Sequence, residues 1–425
     1  MPSVLQCMDC QRIYPTNEVI YTCECGGLLD VIHDLETLRT TITRETFDAR
    51  LGTLEFPYNS GVWRYKELIN PDAPNEKIIS RQEGNTNLYA TPRLAEWAGV
   101  ARLHLKHEGE NPTGSFKDRG MTGGFTQANL MDMRRVACAS TGNTSASLAS
   151  YAAFSGFEGI IFLENKEIPI GKLSQALAYG ATCIRIPADY DKNLQLVREI
   201  STEFGIYVLN SVNPFRVEGQ KAIIFEAIQQ LQWQVPDWII CPGGNLGNSA
   251  AFGKALYELH QLGLIDRMPR LAIIQASGAN PLYQSYKANF ATYEPVHAET
   301  IASAIKIGAP ANYKKAKRAI EWTHGVVEEV TDQQIMDAKA MIDGQGIGCE
   351  PASACSLAGL RKLVEQGVIS PHETVVGILT GHVLKDPDAT VNYHKNTLPN
   401  IHALHPTPIY DAEATLESLR EVITR

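Results

Sequence analysis

Four stretches of the chain place amines, hydroxyls or glycines where a strand gives way to a helix, and each suggests a particular chemistry. The first is Asn111-Pro112-Thr113-Gly114-Ser115-Phe116-Lys117-Asp118-Arg119-Gly120. Ser115 followed three residues later by Asp118 matches a capping box, which predicts Ser115 as N-cap and Lys117 in the first helical turn. A lysine there faces the positive end of the helix dipole, which disfavours its ammonium form. A readily deprotonated amine can attack a carbonyl or move protons. On this segment alone, an ordinary solvent-facing lysine at a helix start is an equal reading. The second is Trp238-Ile239-Ile240-Cys241-Pro242-Gly243-Gly244-Asn245-Leu246-Gly247-Asn248. Its glycines let successive backbone N–H groups converge on one point at a helix N-terminus, a site for a phosphate dianion; a tight turn without a ligand is the other reading. The spacing matches neither the Walker A loop nor the dinucleotide fingerprint. The next apolar run ends in Gln275-Ala276-Ser277, with no carboxylate for a ribose, which argues against a nicotinamide oxidoreductase.

The third stretch, Ala139-Ser140-Thr141-Gly142-Asn143-Thr144-Ser145, offers hydroxyls, an amide and free N–H groups at the start of a helix of small residues. Such a loop can hold a substrate carboxylate, and Asn143 can bond a ring substituent; capping alone also explains its Ser and Thr. The fourth, Ile378-Leu379-Thr380-Gly381-His382, supplies the neutral hydroxyl of Thr380 at a strand end. A poised lysine and a phosphate cradle together point to a cofactor carrying both an aldehyde and a phosphate, which is pyridoxal 5'-phosphate.

The elements that must carry these residues are readable from periodicity. Short apolar, β-branched runs at 102–106, 135–139, 159–163, 182–186, 207–209, 238–241, 271–275 and 374–379 predict strands. Between them, 3.6-residue patterns predict helices over 144–154, 172–179, 193–204, 219–231 and 248–262. Strand–helix alternation implies α/β architecture with parallel sheet covered on both faces. At about 150 residues per domain, 425 residues allow two large units and a small one. The expected fold is two doubly wound parallel-sheet domains with the cofactor between them, plus a small N-terminal Cys-rich ribbon. The divisions are residues 1–33 for the ribbon, 34–116 with 213–425 for the large domain, and 117–212 for the small one. Residues 34–75 read as a polar connecting region with Pro57, Pro71 and Pro74, and 411–423 as an amphipathic helix packing on the body. No fixed-period repeat or low-complexity tract is visible.

Cys7-x-x-Cys10 and Cys23-x-Cys25 supply four thiolates, enough for a tetrahedral structural zinc; reduced thiols in a ribbon remain the alternative. His33 lies too far along to count as a ligand on spacing alone. Cys138, Cys183, Cys241, Cys349 and Cys355 are scattered in apolar stretches, which suits free thiols in a reducing, cytoplasmic setting. With 38 Lys and Arg against 47 Asp and Glu, the net charge of −9 opposes nucleic-acid binding. No apolar run reaches the ~18 residues of a membrane span. A small-molecule substrate is the expected partner.

Segments 112–120, 140–145, 243–248 and 380–386 together resemble threonine synthases, pyridoxal-phosphate enzymes of the tryptophan-synthase-β fold type. The likeness runs from about residue 83 to 388. The lysine segment is shared with sister enzymes, whereas Asn210-Ser211-Val212-Asn213-Pro214-Phe215-Arg216-Val217-Glu218-Gly219-Gln220-Lys221 is similar to the segment by which threonine synthases grip the substrate phosphate. The resemblance implies that Lys117 holds the cofactor aldehyde as a Schiff base and shuttles protons, and that Asn143 bonds the ring oxygen. It assigns the cofactor phosphate to Gly244, Asn245, Leu246, Gly247 and Asn248, and the pyridine nitrogen to Thr380. Ser140, Thr141 and Thr144 would take substrate carboxylate and phosphate, with Ser211 and Arg216 completing the phosphate pocket. The implied enzyme is a homodimeric, phosphate-releasing lyase that converts O-phospho-L-homoserine and water to L-threonine and phosphate. Val383 stands where many members have Gly, which leaves the roles of Lys385 and Asp386 open. A sister lyase or synthase acting on O-phosphoserine, threonine or serine shares everything but the Ser211 and Arg216 pocket. A zinc-ribbon scaffold on an inactive enzyme body is the reading from another class, and an intact Lys117 argues against it.

Overall fold

The computed structural model describes residues 3–164, 170–187 and 190–424. The chain opens with a ribbon, β1 (Val4–Cys7), β2 (Ile13–Pro15) and β3 (Leu29–Ile32), antiparallel in the order β2-β1-β3. Then come α1 (Leu35–Thr41), α2 (Arg44–Asp48), α3 (Lys66–Ile69), β4 (Leu88–Ala90), α4 (Pro92–Ala98) and β5 (Arg102–His107). The middle of the chain runs α5 (Lys117–Leu130), β6 (Arg135–Ala139), α6 (Asn143–Ser155), β7 (Glu158–Glu164), α7 (Ile170–Ala178), β8 (Thr182–Ile186), α8 (Tyr190–Phe204) and β9 (Ile206–Val208). It continues with α9 (Pro214–Gln230), β10 (Trp238–Pro242), α10 (Gly247–Gln261), β11 (Arg270–Ala276), α11 (Pro281–Lys287) and α12 (Tyr313–Thr323). The last elements are β12 (Val326–Val330), α13 (Asp332–Asp343), α14 (Pro351–Glu365), β13 (Thr374–Leu379), α15 (Pro387–His394) and α16 (Leu416–Ile423).

The strands expected from apolar runs all form within one residue of their expected limits. They build a six-stranded sheet ordered β12-β11-β10-β13-β5-β4 and a four-stranded sheet ordered β8-β7-β6-β9. All pairings are parallel except β4 with β5. The two strands missing from the expectation, β4 and β12, lie at sheet edges. β12 reads Val-Val-Glu-Glu-Val, and an edge strand needs no continuous apolar run.

Along β10, Ile239 and Cys241 face the core under α9, α10 and α12, while Trp238 and Ile240 face the one under α4 and α14. Successive side chains point to opposite faces, so a strand covered on both sides must be apolar throughout. The small sheet repeats this: Val136 and Cys138 pack with α5 and α6, Ala137 and Ala139 with α8. Each parallel sheet has one point where strand order reverses, between β10 and β13 and between β6 and β9. Crevices for ligands open there, at the carboxyl ends of the strands.

Two expectations need correction. Residues 34–75 are no polar linker: Phe47, Val62, Trp63, Tyr65 and Leu68 are fully buried in the larger core, and the Trp63 indole N–H donates to Thr122 Oγ1 at 2.7 Å. The elements there are too short to display a period. At the C-terminus the helix is limited to Leu416–Ile423 and buries none of its side chains; Leu416 is 74% and Ile423 81% exposed. Its apolar stripe specified a helix but not a docking surface.

Candidate active site

The loops at the two strand-order reversals open into one cavity of about 1450 Å³. Every residue of the four stretches to which the sequence assigned cofactor or substrate binding lines it, together with Ser211 and Arg216.

Lys117 is the first residue of α5, but the capping box is not formed. Phe116 takes the N-cap position, the Ser115 hydroxyl is buried without a partner, and Asp118 accepts instead from Thr113 N and Oγ1, both at 2.7 Å, and from Ser147. Burial holds the Asp118 carboxyl up at about 6. The local spacing was right for a cap, but a tertiary partner on α6 and the preceding turn claimed the carboxylate. Arg119 anchors the same helical turn through Glu108, at 2.6 and 2.7 Å, and Glu226, at 2.8 Å, with all three side chains out of water. Such a fully paired, hydrogen-bonded cluster is costly to break and rigid while intact.

The Lys117 amine is brought down to about 7, first by burial and next by the Arg216 charge, against an opposing pull from Glu350. Desolvation, more than the helix dipole, is the cause. Its Nζ lies 4.0 Å from the Phe116 ring centroid and makes no hydrogen bond or ion pair among the described residues. The Phe116 N–H donates to Thr380 O at 3.0 Å, tying this turn to the fourth stretch.

At the end of β10, Leu246 adopts the left-handed conformation (φ 61°) and α10 begins at Gly247. The backbone N–H groups of Gly244, Asn245, Leu246, Gly247 and Asn248 donate to no acceptor among the described residues. A Cβ on Gly243 would stand 2.7 Å from Ile273 Cγ2, and one on Gly244 3.0 Å from Ile305 Cα, so the turn packs too tightly for side chains. Asn245 clasps it from outside: Oδ1 accepts from Ala311 N at 2.6 Å and Nδ2 donates to Ser211 Oγ. Asn312 Nδ2 adds bonds to Ser211 O at 3.1 Å and Asn245 O at 3.3 Å. Arg216, on the first turn of α9, is 1% exposed and donates from Nη1 to Leu209 O at 2.7 Å.

At the end of β6, Ser140 Oγ accepts from Gly142 N at 3.2 Å, while the Thr141 and Thr144 hydroxyls have no partner among the described residues. Asn143 Nδ2 donates to Glu350 Oε2 at 3.0 Å, and Thr380 Oγ1 donates to Glu350 Oε1 at 3.1 Å. Glu350 is the residue that sequence reasoning missed. It is buried at the N-cap of α14, its carboxyl is raised by desolvation, and Gly381 leaves it room, since a Cβ there would lie 2.5 Å from Oε1. The only sequence signal was an acid directly before Pro351 at a helix start. Lys385 and His382 also reach the cavity; Lys385 bonds Gln175, and the His382 ring lies parallel to that of His107. Val383 packs against Gly348.

The family described as pyridoxal-phosphate dependent enzyme matches residues 79–381. Threonine synthase of Methanocaldococcus jannaschii is 47% identical over 91% of this chain and 94% of that protein. Threonine synthase of Methanosarcina acetivorans is 44% identical over 99% and 98%, and the chloroplastic threonine synthase 2 of Arabidopsis thaliana 40% over 96% and 82%. Among solved structures, maize serine racemase superposes with a TM-score of 0.63 at 20% identity, over 79% of this chain and 96% of that one. An L-serine ammonia-lyase from Rhizomucor miehei superposes with 0.62 at 22%, over 74% and 99%. These structures share the fold, while the closer sequences set the branch: the chain belongs to the pyridoxal-phosphate dependent enzymes, within the threonine synthase family.

Proposed function

We propose that the chain is a phosphate-releasing lyase that forms L-threonine and phosphate from O-phospho-L-homoserine and water. The observation that carries this reading is one unbonded, easily deprotonated amine at Lys117 sharing a cavity with an arch of five unengaged N–H groups and a buried Arg216. The arch fits a phosphate dianion and the amine fits an aldehyde, which is the donor set pyridoxal phosphate requires. When bound, pyridoxal phosphate supplies an electron sink for carbanions on an amino-acid substrate.

The chain's own residues then divide the work. Gly244, Asn245, Leu246, Gly247 and Asn248 hold the cofactor phosphate through backbone N–H groups that need no reorganisation. Asn143, whose Nδ2 has a second proton beside the one given to Glu350, would bond the ring oxygen, and Thr380 would turn its single O–H from Glu350 to the ring nitrogen. Thr141, Thr144 and Ser140 hold the substrate carboxylate and phosphate, while Ser211 and the planar fork of Arg216 grip the departing phosphate. Neutral Lys117 Nζ takes the α proton and carries a second proton at the β carbon, each step needing an amine that titrates near neutrality. Phosphate leaves with the electrons of the Cγ–O bond, the γ carbon takes up a proton to become the methyl group, and the hydroxyl of water adds at the β carbon while the α carbon regains its proton.

Identity of 40–47% over most of the chain favours this substrate over those of the sister enzymes. The test is phosphate release from O-phosphohomoserine against O-phosphoserine by the cofactor-loaded enzyme. Preference for O-phosphoserine overturns the reading. We further read the chain as domains 1–33, 34–116 with 213–425, and 117–212, a division supported by the one sheet that falls in each. The enzyme is further read as cytoplasmic, in line with the buried, unpaired thiols of Cys138, Cys241, Cys349 and Cys355, and, from its likeness to the threonine synthases, as a homodimer. No helix among the described residues is long and apolar enough to cross a membrane.

A further inference from the structure

The N-terminal ribbon brings four sulfurs together. Cys7 ends β1 and Cys10 follows it, and Cys23 and Cys25 precede β3. Sγ atoms of Cys7 and Cys25 are 3.5 Å apart, those of Cys10 and Cys23 3.4 Å, and those of Cys10 and Cys25 3.4 Å, with all four within 4.8 Å of one another. Zinc–sulfur bonds of about 2.3 Å set four thiolates on a tetrahedron with edges of about 3.8 Å. A disulfide would instead pull one pair to about 2 Å and leave the others apart. The Cys10 N–H points at Cys7 Sγ, at 3.5 Å, and a Cβ on Gly27 would lie 2.5 Å from that sulfur, so the backbone closes over the cluster. Hydrogen bonds of this kind to ligand atoms are what hold a metal site's geometry. The other metal-like group, His33 with Glu218 and Glu258, is a different case. Lys221 and Lys254 already pair with both carboxylates there, so no cation is called for.

The ribbon is joined to all three segments that bound the Arg216 end of the cavity. Its apolar face, Leu5, Leu29 and Val31 with Cys7 and Cys23, packs on Phe215, the neighbour of Arg216. Tyr21 Oη accepts from Val208 N at 2.7 Å, one residue before the carbonyl that Arg216 bonds. On α12, Lys315 donates to Leu29 O at 2.6 Å and Lys314 pairs at 2.6 Å with Asp9, which lies between Cys7 and Cys10. Just before that helix, Asn312 holds Ser211 O and Asn245 O. His33 bonds Glu218 of α9 at 3.0 Å.

We infer that Cys7, Cys10, Cys23 and Cys25 bind one Zn²⁺ as a tetrathiolate, and that the zinc-closed ribbon is a positioning element that fixes Arg216 and Ser211 for the substrate's phosphate. This rests on the reading of Arg216 as a substrate-phosphate ligand. An α9 start, a β9 end and an α12 start all clamped by one small ribbon lose their common brace when the ribbon opens. The Lys117 turn keeps its anchors in the Arg119, Glu108 and Glu226 cluster. The 243–248 arch shares Ser211 and Asn312 with the braced face, but it also keeps the Gly243 N–H bond to Ile274 O at 2.7 Å and the packing of Gly243 on Ile273, which hold it in place.

The test uses the full-length, cofactor-loaded enzyme. Metal content is measured by mass spectrometry on wild type and Cys25→Ser, alongside KM for O-phosphohomoserine, kcat, cofactor absorbance and the dissociation constant for inorganic phosphate. Wild type is expected to carry one zinc per chain. Cys25→Ser is expected to lose it, with KM and the phosphate constant rising about tenfold while kcat and absorbance stay within about twofold. Should Cys25→Ser fail to accumulate folded, stripping the wild type with a mercurial and a chelator and then returning zinc gives the same comparison, with KM restored. No stoichiometric metal, or iron in place of zinc, overturns the metal assignment. Metal loss with unchanged KM overturns the positioning role. Arg216→Ala separates the two readings: unchanged KM in that variant overturns the phosphate pocket itself, whereas raised KM there with no effect of metal loss overturns only the inference drawn from the ribbon.

Discussion

The two turns that line the cavity from the two sheets are built on opposite plans. The 243–248 turn of the large sheet has no slack: Gly243 and Gly244 have neighbours where a Cβ would go, Leu246 is buried, and Asn245 is bonded on both ends of its amide. What it presents to the cavity is backbone. The 140–144 turn of the small sheet is half-buried throughout, a Cβ on Gly142 would meet nothing within 4 Å, and it presents free hydroxyls. A ligand that stays through turnover is best served by donors that packing has already immobilised. A substrate that enters and leaves needs side chains with room around them. On the proposed roles, the large sheet holds the cofactor and the small sheet receives the substrate.

The strongest attack on that picture is Lys117→Ala, which removes the group serving both turns. Turnover is expected to fall by at least about 10³-fold, and borohydride should no longer fix cofactor to the protein. The wild-type amine sharpens the point through pH. Burial lowers it from an ordinary 10.5 to about 7, so the neutral form dominates above pH 7. The rate at which cofactor-free enzyme captures pyridoxal phosphate should therefore climb up to about pH 7 and level off by about pH 8; a rate still rising at pH 10 would show an unperturbed lysine.

Gly243→Ala comes next, since the new methyl would overlap Ile273. A penalty of about 1–3 kcal/mol, expressed in the turn, should weaken cofactor binding about 10- to 100-fold in a fluorescence titration. Thr141→Ala probes the other turn and should raise KM for O-phosphohomoserine about tenfold while leaving cofactor affinity alone. If both variants changed cofactor affinity alike, the division of labour would be lost. Glu350→Gln has the smallest expected effect, about threefold on kcat/KM, because an amide keeps one acceptor for Asn143 or Thr380 but not both; its spectral signature should change more than its rate.

Much of this was legible one element at a time. Apolar runs located the strands, and β10 could be read because a strand covered on both faces has no polar position to disguise it. β12 escaped because an edge strand tolerates Glu328 and Glu329, and the buried 34–75 segment escaped because its helices, of 7, 5 and 4 residues, are under two turns each and cannot establish a repeating pattern. Ser115 and Asp118 had the right spacing for a cap, yet Ser147 and Thr113 outbid the cap for the carboxylate. Glu350 carried almost no signal because its partners, Asn143 and Thr380, are 207 and 30 residues away.

The order of residues along the chain by itself determined which turns could bend tightly, which could offer free N–H groups, and where an amine, a guanidinium and four thiols would stand relative to local elements. These depend on short-range sterics and hydrogen bonding. Only the tertiary structure decided that two strand-order reversals share one cavity, that the Lys117 amine sits out of water, and that Glu350 reaches across to two distant loops. Desolvation and long-range charge depend on everything within several ångströms, whatever its place in the sequence, and folding alone assembles that surrounding.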